Sequence, residues 1–356
     1  MARTSDTYDN GTLRNHFGIT DATELASREA DISGFRYQRL FDGDFPLGFP
    51  ATNGSDRLQA IHQYLFGPIY PFAGQFRQTP LSKADFETGP QSHTHFTLPT
   101  AIKRDLATIF RILDSERAFK GLGRLAFVQG AAYFLADLNL VHPFREGNGR
   151  TQRAYLALLA REAGHRLSFK GITPERMVSA SIAAAGRNVA PMQALLDEAT
   201  DPLRQPLLER SYSYLNDHEH RNMIAIDQRV LATATPGDTY TGQVFAWGRN
   251  APTFILVDEG GAFIVANAQD LPAGHQDGPI TFTATETAEQ RAHRWYDQVE
   301  SEAKPGHTTL AVQRALEALS PPADNRDFID RIAPRRLKQS QARDQAYFAY
   351  GRSVQR

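Results

Sequence analysis

From Leu13 to about residue 212 the apolar positions recur every three or four residues, the period of an α-helix with one buried face. A helix is expected over 21–32, capped by Thr20 or Asp21, with Leu13, Phe17, Ile19, Leu25, Ile32 and Phe35 assigned to the core. A second, over 55–66, would bury Leu58, Ile61 and Leu65. A third, over 100–118, would bury Ile102, Leu106, Ile109, Phe110 and Leu113. The run 122–140 reads as a helix leading into a candidate active-site loop at 142–153. A further helical run through Tyr155, Leu156, Leu158 and Leu159 stops near Gly164. Thr173-Pro174 opens the helix 174–186, with proline at its tolerated first position, and 190–200 follows.

The pattern changes between Arg229 and Thr287, where β-branched and aromatic residues alternate and turns recur. Strands are expected in 240–248, 253–258, 262–266 and 279–284, with a hairpin turn at Asp258–Gly261. About five short strands suggest a small OB-like barrel. Phe245, Trp247 and Phe254 could stack bases, but Arg249 is the single Lys or Arg in 230–290, so a core role is the more economical reading. The expected fold is therefore mainly α: a helical domain over 1–215, an OB-like β domain over 229–287, and a helical, partly disordered tail over 288–356 with a basic stretch at 334–338.

Composition narrows the classes. The 356 residues are 41% hydrophobic and 22% charged, with a net charge of −1. That describes an ordinary globular chain and argues against nucleic acid as the main partner. Cysteine is absent, which removes disulfides and thiolate chemistry and fits a reducing compartment. No apolar run is long enough to span a membrane, and 1–11 lacks a signal-peptide core. The expectation is a cytoplasmic protein with no membrane partner.

The chemistry concentrates in Val141-His142-Pro143-Phe144-Arg145-Glu146-Gly147-Asn148-Gly149-Arg150-Thr151-Gln152-Arg153. The first amides of the helix after this loop lack intrahelical acceptors and sit at its positive end, which suits an anion. Gly147 and Gly149 let the backbone curl, and Asn148 adds an amide. Arg150 and Arg153, three residues apart, can reach one polyphosphate. Glu146 offers a hard oxygen suited to Mg²⁺. His142 titrates near neutrality, as a general base should. Phe144 reads as a core anchor.

This segment resembles the signature of the Fic family, His-Pro-Phe-x-Asp/Glu-Gly-Asn-Gly-Arg-x-x-Arg, at every fixed position. A second segment, Ile69-Tyr70-Pro71-Phe72-Ala73-Gly74-Gln75-Phe76-Arg77, is similar to that family's Ile-Tyr-Pro-Trp-Ala-Gly-x-Tyr-Arg, with Phe72 and Phe76 as departures. The resemblance implies transfer of AMP from ATP to a hydroxyl of a target protein, with release of pyrophosphate. His142 would take the Ser, Thr or Tyr proton and Glu146 would hold Mg²⁺. Gly147, Asn148 and Gly149 would cradle the phosphates, and Arg150 and Arg153 would meet the β- and γ-phosphates. It also implies a β-hairpin flap over about 79–99 that docks the target through Ser92, His93, Thr94, His95 and Phe96.

A helical Fic domain followed by an OB-like barrel is similar to the arrangement in Bartonella type IV secretion effectors. That leaves open export from a bacterial cytoplasm into a host cell. The family's inhibitory motif, Ser/Thr-x-x-x-Glu-Gly/Asn, is missing: only Glu146 and Glu259 precede Gly or Asn, and His142 and Ile255 stand four residues earlier. A small antitoxin-like protein acting in trans is the expected source of that glutamate. The alternatives within the resemblance are another nucleotide or CDP-choline as donor, or a non-catalytic binding module.

Overall fold

The computed structural model describes residues 6–43, 48–84, 93–222, 225–247, 253–273 and 278–287, with 290, 291, 293, 294 and 297. It divides into two compact units. One is formed by the described residues within Met1–Lys120 and Asp137–Glu162, the other by those within Gly121–Ala136 and Ala163–Arg331.

The first unit opens with α1 (Ala22–Phe41), capped by the Asp21 carboxylate, which accepts the Glu24 amide at 2.8 Å. Its buried face runs Leu25, Glu29, Ser33, Leu40. The helix continues well past the expected end at residue 32. Two assigned core residues, Phe17 and Phe35, prove exposed at 42% and 66%. Phe35 lies about 200° round the helix from Ser33, on the opposite face. Phe17 sits on a tight turn built by Asn15, whose side-chain oxygen accepts the Phe17 and Ile19 amides.

Helix α2 (Ser55–Phe66) buries Leu58, Ile61 and Leu65 as expected, and His62 with them. Strands β1 (Ser82–Ala84) and β2 (His93–His95) pair antiparallel with Ser82 opposite His95, the expected hairpin. Helix α3 (Ile102–Ser115) buries all five of its expected residues. Helices α4 (Arg124–Val141) and α5 (Asn148–Ala163) flank the signature loop, and Gly164, at φ 90°, ends the second.

The second unit carries α6 (Pro174–Ala185), capped by Thr173, then α7 (Ala190–Thr200) and α8 (Arg204–Asn222), the last longer than the pattern indicated. Five strands follow: β3 (Leu231–Thr233), β4 (Thr239–Trp247), β5 (Thr253–Asp258), β6 (Phe263–Asn267) and β7 (Pro279–Thr283). They lie in the order β3-β6-β5-β4-β7, with β3 parallel to β6 and the other pairs antiparallel. Asp258–Gly261 is the expected turn: Gly261 takes φ 80° and Asp258 accepts the Ala262 amide on its side chain at 2.8 Å. Among the described residues no ladder joins β3 to β7, so in place of the expected barrel the five strands form an open sheet.

One sheet face packs with Leu208 and Leu215 of α8 around Ile255, Phe263 and Val265. The other gathers Phe254, Leu256, Ile264, Ala266, Ile280 and Phe282. Burying both faces of β5 and β6 explains their nearly continuous apolar runs. A buried ion network stitches the unit together. Arg176 and Arg204 both pair with Glu198, whose carboxylate also accepts the Thr233 amide at 3.0 Å. Among the described residues no helix is long and apolar enough to cross a membrane.

Candidate active site

The signature loop occupies the gap between α4 and α5, within the first unit. His142 closes the last turn of α4 with its amide on the Leu138 carbonyl at 3.0 Å, then takes φ 45°. Pro143 bars a further helical residue. The chain turns again at Gly147, φ 77°, where an added Cβ would fall against the Phe66 ring. Asn148 clasps the loop shut: its side chain accepts the Phe144 amide at 2.9 Å and donates to the Phe144 carbonyl at 2.8 Å. That amide side chain shapes the loop, while the main-chain amides of Asn148, Gly149 and Arg150 belong to the first turn of α5 and lack intrahelical acceptors.

The geometry assigns the His142 tautomer. Its Nδ1 lies 3.3 Å from the Asn139 carbonyl, an oxygen that can only accept, so Nδ1 carries the proton and Nε2 the lone pair. The Phe96 ring stacks on the imidazole at 3.9 Å and 14°. Burial pushes the imidazole pKa down to about 3, with the Lys83 cation adding to the effect, the Asn139 carbonyl opposing it and Arg77 adding a little. The ring does not titrate near neutrality as expected: burial keeps it neutral, and Nε2 keeps its lone pair.

His62 supports the carboxylate position. Its Nδ1 accepts the Gly74 amide at 2.8 Å, which leaves Nε2 to donate to the Glu146 carbonyl at 2.9 Å. The ring stacks on Phe144 at 3.8 Å and 12°. Burial takes its pKa down to about 4, partly offset by the bond to Glu146. The Glu146 carboxylate accepts the Gly147 amide at 2.9 Å. Among the described residues no group of three or more His, Cys, Asp or Glu could hold a metal. A carboxylate beside the first-turn main-chain amides of α5 nevertheless fits Mg²⁺, which takes one or two carboxylates and fills its shell with water and phosphate oxygens.

The two arginines differ. Arg150 donates to Ser33 Oγ at 2.7 Å and to the Glu29 carboxylate, and lies 4.8 Å over the Phe66 ring. The Tyr70 hydroxyl donates to the other Glu29 oxygen. Arg153 faces Tyr37 instead. Burial lowers the Arg153 pKa, Tyr37 raises it, and the Arg150 cation lowers it again. Tyr37 itself is pushed up to about 12 by burial.

Of the expected flap residues, Phe96 is buried against His142, Thr94 is half-buried and His95 is exposed. His93 takes its place in β2, with its side chain outside the described residues, as is Ser92 altogether. Sequence reasoning missed Glu29, Ser33, Tyr37 and His62. The available signal was polar residues at helix spacing on otherwise apolar faces, Glu29 and Ser33 following Leu25 at steps of four.

Comparison with known proteins agrees with this geometry. Residues 52–160 match the Fic/DOC family. A protein adenylyltransferase of Bartonella henselae is 31% identical over 78% of this chain, which spans 52% of that protein, about half its length. A probable protein adenylyltransferase of Sinorhizobium fredii is 33% identical, and the match covers 51% of this chain and 88% of that one. The structure of the type IV secretion system effector protein BepA superimposes with a TM-score of 0.67 at 30% identity, covering 79% of this chain and 96% of that one. Nearly the whole of the Sinorhizobium protein and of the BepA structure finds its counterpart here, and the chain belongs to the Fic/DOC family.

Proposed function

We propose that this chain is a protein adenylyltransferase that moves AMP from ATP to a side-chain hydroxyl of a target protein. The observation that carries this reading is the neutral His142 with its Nε2 lone pair, beside the N-terminus of α5. Nε2 takes the proton of a Ser, Thr or Tyr hydroxyl as the oxygen attacks the α-phosphorus. The bond from that phosphorus to the α–β bridging oxygen breaks, and pyrophosphate leaves. The α5 amides face the phosphates, where charge builds up in the transition state. Arg153 supplies cationic charge close by. Glu146 is the residue that would hold Mg²⁺, whose role is to neutralise phosphate charge.

The β1–β2 hairpin offers strand edges on which a target segment can add as a further strand, bringing its hydroxyl to His142. The names of the Bartonella and Sinorhizobium relatives favour a protein as acceptor, and BepA's name favours delivery into a host cell by type IV secretion. A separate antitoxin-like protein is the inhibitor this reading calls for, because no carboxylate pairs with Arg153 among the described residues. The sheet of the second unit we read as OB-like. All five strands send residues to one cluster, including Ala232 of β3 and Tyr240 and Val244 of β4, as a sheet coiling on itself would.

The test is transfer of label from ATP carrying radioactive phosphorus at the α position into proteins of bacterial and eukaryotic lysates, with His142→Ala as the blank. A labelled band that disappears in the variant supports the reading. A band that persists at the wild-type level removes His142 as the base. Labelling that requires another nucleotide or CDP-choline replaces the donor.

A further inference from the structure

Arg77 is 4% exposed and stands where the chain enters the hairpin. Its guanidinium is turned onto main-chain carbonyls. Nε donates to His142 O at 2.8 Å, Nη1 to Thr79 O at 2.8 Å, and Nη2 to Thr97 O and, at 3.3 Å, to Val141 O. Its own amide donates to Pro143 O at 2.9 Å. Thr79 precedes β1 and Thr97 follows β2, so one side chain ties both legs of the hairpin to the end of α4 and to the loop. Thr97 is secured in turn, its amide on Leu140 O at 3.0 Å and its hydroxyl on Asp105 at 3.1 Å.

These bonds bracket the residue that most needs restraint. A non-glycine residue at φ 45° persists only where its surroundings over-determine it. Arg77 holds the carbonyls of Val141, His142 and Pro143, on both sides of that dihedral. A guanidinium spreads its donors over three nitrogens in a planar fork, whereas the three donors of a lysine ammonium all leave a single atom.

We propose that Arg77 is a positioning residue that holds His142 and both legs of the hairpin in one register, so that a hydroxyl presented by the hairpin meets Nε2. The part played by His142 rests on the adenylyl-transfer reading. The groups facing the imidazole are Lys83 from β1, the Asn139 carbonyl from α4, the Phe96 ring from beyond β2, and Arg77 itself.

The test compares Arg77→Lys and Arg77→Gln with wild type and His142→Ala in the full chain, below each variant's melting temperature. Arg77→Lys, which keeps charge and length, carries the comparison if Arg77→Gln does not fold. The expected result is a kcat lower by about 100-fold, the scale of an ångström of misplacement. KM for ATP and the Kd of a non-hydrolysable ATP analogue should stay within about twofold. A kcat close to wild type, or a loss that follows nucleotide affinity, would overturn the proposal. Nuclear Overhauser contacts between the Phe96 ring and the His142 imidazole report the register without any turnover. Their loss in Arg77→Lys supports it and their persistence refutes it, even if wild type proves to transfer nothing from ATP.

Discussion

Glu29 and Arg150, 121 positions apart, form an ion pair that joins α1 to the first turn of α5. Ser33 takes a second donor of the guanidinium, and Tyr70 donates to the carboxylate. Arg150 thereby acts as a strut as well as a cation, and Glu29→Ala strands its charge in a largely enclosed place. The expected cost is about 2–4 kcal/mol, below that of a fully buried pair because Arg150 keeps some exposure. Denaturant midpoints of the two single variants and the double variant would measure it. A coupling below about 0.5 kcal/mol would mean that the pair contributes nothing beyond a surface salt bridge.

Gly147→Ala should disable the site. The positive φ disfavours any side chain, and the new methyl meets the Phe66 ring, itself fully buried. Loss of at least about 2 kcal/mol of stability is expected from strain and overpacking together. ATP-analogue binding should fall by tenfold or more, measured by calorimetry. Unchanged binding would show that the loop can reshape without cost.

The two buried histidines make a signed prediction about pH. His62 and His142 sit at about 4 and 3 in the folded protein, below the ordinary 6.5. Between those values and 6.5 the unfolded chain binds more protons than the native one, so stability rises with pH across that window. It is complete above about 6.5 and is lost as pH falls. His62→Gln, which keeps a donor for Glu146 O, should flatten the acid side of a melting-temperature profile. A profile as steep as wild type would assign the effect to other groups.

In the second unit, Glu198 accepts from two arginines and from the Thr233 amide. Glu198→Ala takes this acceptor from all three donors; Arg204 keeps Asp197 and Thr233 Oγ1, and Arg176 keeps the Leu231 carbonyl. A loss of about 3–5 kcal/mol is expected, read from chemical denaturation. A loss under 1 kcal/mol would indicate that water or neighbouring Asp197 replaces the carboxylate.

The legible parts of the sequence were the local ones. Leu58, Ile61 and Leu65 recur at helix spacing, and Asp258–Gly261 carries its own turn chemistry, so neither needs distant information. The signature loop was legible for the same reason, since Gly147 and Pro143 act on their own dihedrals, although Gly149, expected to curl the backbone as well, is an ordinary helical residue of α5. Long-range partnerships left no trace. A search for a linear Ser/Thr-x-x-x-Glu-Gly/Asn motif passes over Glu29, which follows Leu25 by four and precedes Ala30, yet its carboxylate reaches Arg150. In the sequence His62 is one polar residue on an apolar helix face, and its role exists only once Gly74 and Glu146 close around it. Phe35 misled because a helix continuing past Gly34 rotates it outward.

Many of the ties around His142 and Glu146 end on main-chain atoms: Arg77 on four carbonyls, His62 on an amide and a carbonyl, Asn148 on the Phe144 peptide groups. Every amino acid carries a carbonyl, so the residues lending them, such as Thr79 and Val141, can be exchanged without cutting a tie. The scaffold is thus indifferent to much of its own spelling. Side chains on the exposed face of the hairpin are free to drift toward new acceptors while the machinery behind them stays in place.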